Sequence, residues 1–246
     1  MDRYREVCGL EKKERLPLLF PHVCSQGLHM AMLTHKSFPI KLLGSVHLRN
    51  HILAHRAISV SETLALVCRL GEFRIMEKGM EFDFTTLVHV DDERVWESVS
   101  TYYVRGRFGE QGTPSPLAKM PEITKETPVS EWHVAADLGK KYAPITGDYN
   151  PIHMSKMLAK LFGFKRDIAH GFCVLATCLE QFGSNLVEGA CRFDAAFKGP
   201  VFLDSQVVLK ASAEGDSGRF NLYCDENERP SICGLVQPAK PGENLV

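Results

Sequence analysis

The feature that most restricts this chain is that it repeats itself. A candidate helix opening at Pro21-His22 (21–35) is followed by strand-like segments at 48–58, 62–70, 80–90 and 94–104. A second, opening at Ala169-His170 (169–182), is followed by segments at 192–202, 205–213, 219–224 and 230–236. In the second helix Phe172, Leu175, Ala176, Leu179 and Phe182 recur at helical spacing, the mark of a helix buried along a stripe or all round. Phe82, Phe84, Val88 and Val90 alternate with polar neighbours, as a half-buried antiparallel strand does. Between the halves, 112–130 carries four prolines and no periodicity and reads as a linker, with the boundary near residue 120. The expected architecture is α+β: two tandem units, 1–118 and 130–246, each a long central helix wrapped by an antiparallel sheet. Pairing the units also covers a sheet edge that either alone would expose.

Composition narrows the partners. With 44% hydrophobic and 24% charged residues over 246 positions, the chain has enough apolar material for a large core. A net charge of -1 leaves no nucleic-acid footprint. Apolar runs such as 16–20 and 64–68 are much shorter than the ~18 residues of a membrane span. The charged N-terminus lacks the apolar stretch of a signal peptide, so a cytoplasmic protein is expected. Eight cysteines with no C-x-x-C pair read as reduced, mostly buried thiols rather than zinc ligands.

The repeat is broken by an insertion. About 40 residues separate Ser130 from His170, whereas 21 precede His22. Ser130 is expected to cap a helix over 131–142, ended by Pro144 and Gly147. Asn150 is expected to cap a second short helix with Pro151 in its first position, closed by Gly163. Asp148 and His153 then lie five residues apart across a stiff Asn-Pro joint. A carboxylate beside an imidazole can activate water and move its proton. An isolated pair of this kind is more often a turn residue and a core histidine.

This pair is not isolated. Tyr142-Ala-Pro-Ile-Thr-Gly147-Asp148-Tyr-Asn150-Pro151-Ile-His153, followed by Ala159, Gly163-Phe164 and Ile168-Ala169-His170-Gly171, closely resembles the signature of MaoC-like (R)-specific enoyl-thioester hydratases and 3-hydroxyacyl-thioester dehydratases. These are also called hydratase 2. The layout, with the signature only in the second half, resembles the double-hotdog members of that family. The resemblance implies that Asp148 and His153 form the catalytic dyad and that Asn150 steadies their loop. It further implies that the Gly171 N–H binds the thioester carbonyl, that Tyr142 and His170 lie at the substrate site, and that neither a metal nor an organic cofactor is needed. A helix N-terminus suits the Gly171 role physically, because it offers free N–H groups and a positive dipole end. Two departures concern proton handling: Ser155 stands where many relatives have an acid, and Leu179 lies near where some have a serine.

Lys165 and Arg166, with Lys140, Lys141 and Lys198, are candidates to meet the phosphates of coenzyme A or an acyl-carrier-protein arm. The implied substrate is an acyl-CoA or acyl-carrier-protein thioester, handled by a monomer whose two units mimic a dimer, or by a homodimer. His47, His51 and His55 recur every fourth residue; on a strand they share a face but stand about 13 Å apart per step, too far for one ion, and are read as surface or pocket-rim groups. His22 has no counterpart of the Asp148–His153 segment beside it, so the first unit is expected to be silent. Met30, Met32 and Leu33 either line room for a longer acyl chain or are ordinary core. The alternatives to a hydro-lyase are a hotdog acyl-thioesterase and a non-catalytic acyl-thioester-binding module.

Overall fold

The computed structural model describes residues 1–40, 44–120 and 125–246. Among the described residues there are five α-helices: α1 (Asp2–Cys8), α2 (Phe20–Leu33), α3 (Leu138–Thr146), α4 (Lys156–Leu161) and α5 (Gly171–Gly183). The strands are β1 (Ser45–Ala54), β2 (Ala65–Met76), β3 (Gly79–Val90), β4 (Glu93–Arg105), β5 (Thr127–Val134), β6 (Cys191–Phe197), β7 (Ser205–Glu214), β8 (Ser217–Cys224) and β9 (Ile232–Pro238). All nine join one antiparallel sheet in the order β2-β3-β4-β1-β6-β9-β8-β7-β5.

The expected repetition is visible in this order. Outward from the β1–β6 seam the first half runs β1-β4-β3-β2 and the second β6-β9-β8-β7, so equivalent strands have identical wiring. The seam pairs Ile52 with Phe193 and Ala54 with Cys191, and Ile52 and Phe193 are fully buried. A lone bridge precedes each central helix, Arg15 with Ser59 and Ile168 with Phe202. This is a double hotdog. The halves differ at the rims, since β5 covers the edge of β7 while the corresponding stretch before α2 contains α1.

Nearly every side chain of α5 between Phe172 and Leu179 is buried, in a core that spans both halves and includes Trp96, Phe193, Leu209 and Phe220. Each large apolar side chain so buried contributes about 1.5–3 kcal/mol. In the first half, Leu33 packs in a second cluster with Phe82, Phe84 and Tyr102, and Met30 and Met32 lie against it. This packing matches the ordinary-core reading of these residues.

Three expectations are corrected. The segment 131–142 is not one helix: Ser130, Trp132 and Val134 turn inward at period two within β5, paired with β7, and α3 begins only at Leu138. The available partner edge of β7 decides this stretch, not its local cap signal. Second, a bulge between His47 and Arg49 puts His47 and His51 on opposite faces of β1. His47 stacks on Tyr102 and Phe172 on the helix side, whereas His51 is buried against Asp194 and His55 bonds Glu97. They are not surface groups sharing one face. Third, α1 had no expected counterpart. Part of the expected linker, residues 121–124, lies outside the described residues.

Candidate active site

The inserted segment is tied down bond by bond. α3 runs through Pro144 and stops where Gly147 turns left-handed, its φ of 75° favouring glycine and its N–H bonding the Ala143 carbonyl. The Asp148 N–H then donates to Thr146 Oγ1 at 3.2 Å, and Asp148 Oδ1 accepts the Asn150 N–H at 3.1 Å. Asn150 Oδ1 in turn accepts the Ile152 N–H at 3.3 Å and caps a single 3-10 turn, Pro151–His153. The expected short helix is therefore two pieces: this turn, and α4, whose first turn is capped by Ser155 Oγ. Gly139 of α3 sits so tightly on the His153 carbonyl that a Cβ there would overlap it.

These constraints aim both members of the pair. The His153 Nδ1–H donates to the Ile168 carbonyl at 2.8 Å, which leaves the Nε2 lone pair free to face the carboxylate. Asp148 Oδ2 stands 4.0 Å from His153 Nε2 and 3.9 Å from His170 Nε2. That is beyond direct hydrogen bonding, and a gap of this kind is one a water can bridge. Burial pushes the His153 pKa down, against the pull of the Asp148 carboxylate and the Ile168 carbonyl. Burial and the neighbouring His153 lower His170 to about 4. Both rings are neutral near pH 7.

His170 has a defined task. Its Nε2–H donates to the Asp148 carbonyl at 2.9 Å and its ring stacks on His153 with centroids 3.8 Å apart. Tyr142 stands behind it, 2% exposed, between His170 and Tyr4. Because a carbonyl can only accept, His170 Nε2 carries its proton and offers a cation no lone pair there. The trio Asp148, His153 and His170 thus presents one carboxylate and one imidazole to a metal, fewer than the three protein ligands of a catalytic zinc site.

Gly171 begins α5. Both the Cys173 and Val174 N–H groups return to the His170 carbonyl, so the Gly171 amide precedes the bonded ladder and is one of the open donors of a helix start. A Cβ at 171 would lie 2.7 Å from the Phe197 ring, which gives the missing side chain a packing reason besides substrate approach.

Of the remaining expected residues, Lys165 is exposed, and Arg166 donates to the Asp204 carbonyl with its guanidinium over Phe202. From the first half, Tyr102 of β4 stacks on His47, which itself lies against Phe172 of α5. Burial and then the Asp148 charge raise the Tyr102 phenol above its usual range. Tyr102 lies in an ordinary strand pattern, with no local signal of a site on the other unit. Thr146 and the Ile168 carbonyl were likewise hidden, because one is a common loop residue and the other acts through its backbone.

A double hotdog with one acid–imidazole site at the start of one central helix defines the class of protein. The MaoC like domain model matches residues 115–231. The 3-hydroxyacyl-thioester dehydratase X of Mycobacterium tuberculosis is 32% identical over 216 residues, which cover 87% of this chain and 76% of that protein. The chain belongs to the MaoC-like dehydratase family. Its structure superposes on the crystal structure of HtdX of Mycobacterium tuberculosis with a TM-score of 0.82 at 26% identity, covering 97% of this chain and 94% of the other. A second protein of that organism, described as a double hotdog fold, superposes with a TM-score of 0.58 at 13% identity over 96% of this chain and 84% of its own, a likeness of fold.

Proposed function

We propose that the protein is a hydro-lyase that reversibly hydrates trans-2-enoyl thioesters to (3R)-3-hydroxyacyl thioesters in fatty-acid metabolism. The observation that carries this reading is the 4.0 Å gap between Asp148 Oδ2 and His153 Nε2, with the tautomer of His153 set by Ile168. A water held there is deprotonated as its oxygen bonds C3 of the alkene, and the pair returns a proton to C2. Negative charge gathers meanwhile on the thioester oxygen, where the Gly171 N–H and the positive end of α5 stabilise it. Such a donor is worth about 2.7–4 kcal/mol of barrier and acid–base help about 10²–10⁴ in rate.

Supporting roles follow from contacts. Asn150 holds Asp148 Oδ1, His170 holds the Asp148 carbonyl, and Tyr142 backs His170. In this reading 130–246 is the working unit and 1–118 a silent one that supplies Tyr102. Lys165 and Arg166 meet the phosphates of a coenzyme A or carrier-protein thioester. The setting is cytoplasmic, in keeping with eight free cysteines, and no helix among the described residues is long and apolar enough to cross a membrane. The chain works as a monomer or homodimer.

The test mixes the protein with a trans-2-enoyl-CoA and follows loss of the enoyl chromophore alongside free thiol. Chromophore loss without thiol, abolished in Asp148→Asn, is expected. Thiol release without hydration would make the protein a thioesterase, and neither signal would make it a binding module.

A further inference from the structure

The segment that carries the dyad is charged unlike the rest of the chain. Residues 138–166 hold six lysines and arginines against one acid, Asp148, in a chain of 29 basic and 30 acidic residues. Within this segment stands α4, whose solvent side is made of two side-chain pairs, each four residues apart and so on neighbouring turns. Met157 is 71% and Leu161 78% exposed, more than any other large apolar side chain among the described residues. Lys156 and Lys160 form the adjoining pair, also exposed, and neither has an ion-pair partner among the described residues.

The other side of α4 is already satisfied. Ala159 is fully buried against Ile152 and Ile168, and Ile152 belongs to the 3-10 turn that carries His153. Met157 and Leu161 therefore do not stand out for want of a core contact. Two features decide what covers them. Two protruding side chains make a ridge far smaller than the about 800 Å² per partner of a stable protein interface, yet one able to enter the boundary between lipid headgroups and acyl chains. The adjoining cations are lysines, which are depleted at protein interfaces and suit a lipid surface, where the stem lies along apolar atoms and the ammonium meets a phosphate.

We propose that α4 docks the protein on an anionic membrane surface, with Met157 and Leu161 inserted at the headgroup boundary and Lys156 and Lys160 on the lipid phosphates. The basic excess of 138–166 turns this face toward the bilayer before contact. Docking of this kind is independent of the reaction assigned to the dyad.

Sedimentation of the full chain with vesicles tests it. Binding is expected to vesicles of equal parts phosphatidylcholine and phosphatidylserine, to be at least about tenfold weaker on phosphatidylcholine alone, and to fall in high salt. Lys156→Gln with Lys160→Gln should weaken it about 25-fold, about fivefold per lysine. Met157→Ser with Leu161→Ser should weaken it at least about tenfold. All four side chains are exposed, so both double variants should melt as the parent does, and if one fails to fold the other decides. No binding of the parent to the mixed vesicles, or parent-like binding by either folded variant, would overturn the proposal. Binding to a soluble, Glu-rich amphipathic helical peptide without binding to vesicles would also overturn it and make an acidic protein the occupant.

Discussion

Asp148→Asn keeps the shape of the side chain and its bond to the Asn150 N–H but removes the charge that faces His153. The expected loss in kcat is about 10²–10⁴, with little change in thermal stability, read from steady-state rates and a melting curve. His153 has a second measurable signature. It accepts a proton only when neutral, and burial places its pKa below the usual histidine value. The acid limb of kcat/KM is therefore expected below pH 6.5, with activity lost as the pH falls through that lowered pKa. A limb centred at or above 6.5 would contradict the assigned environment. At this scale the sequence was a good guide: Asp148, Asn150 and His153 are close in the chain, and the loop joining them bonds mostly to itself. Tyr102 was not legible, because its relation to Asp148 exists only once β4 is folded against the other half.

At the scale of elements, α3 and the 3-10 turn meet through one glycine. Gly139→Ala would force its Cβ onto the His153 carbonyl. The expected cost is about 1–3 kcal/mol of stability together with a fall in kcat, because the overlap displaces the His153 ring, the proposed base. Melting temperature and rate should drop together, and a stable variant with normal rate would show that the two elements slide freely. The cap at Asn150 is a milder case, and Asn150→Ala should cost about 1 kcal/mol through loss of its bond to the Ile152 N–H. Elements also show where local signals mislead. Ser130 looks like a helix cap, but the residues after it alternate, and β7 offers an edge whose bonds a helix would forgo. The bulge in β1 is equally silent in the sequence, yet it turns His47 to the helices and leaves His51 on the opposite face.

For the whole molecule, the first half carries a load of buried neutral histidine that sets acid stability. His29 is lowered to about 4 and His47 to about 3, chiefly by burial, and His22 also lies well below its usual value. Their unfolded-state value is about 6.5, so between that pH and the folded-state values the unfolded chain holds more protons. Stability is then complete above about pH 6.5 and falls on acidification, by up to about 1.4 kcal/mol per pH unit for each histidine, until pH 4 and 3 are passed. Thermal unfolding from pH 7.5 to 4 should show a steep decline, and His29→Asn should flatten it; a flat curve in the parent would contradict their burial. The order of residues was enough to determine two repeats, four strands after each central helix, and an acid and an imidazole on a stiff joint, because periodicity and turn chemistry act within a few residues. The tertiary structure alone decided that β1 and β6 join the repeats into one sheet, that a strand replaces part of an expected helix, and that His47 of β1 lies against Phe172 of α5. Those outcomes depend on which edges and buried surfaces meet, and such free energies arise between segments far apart in the chain.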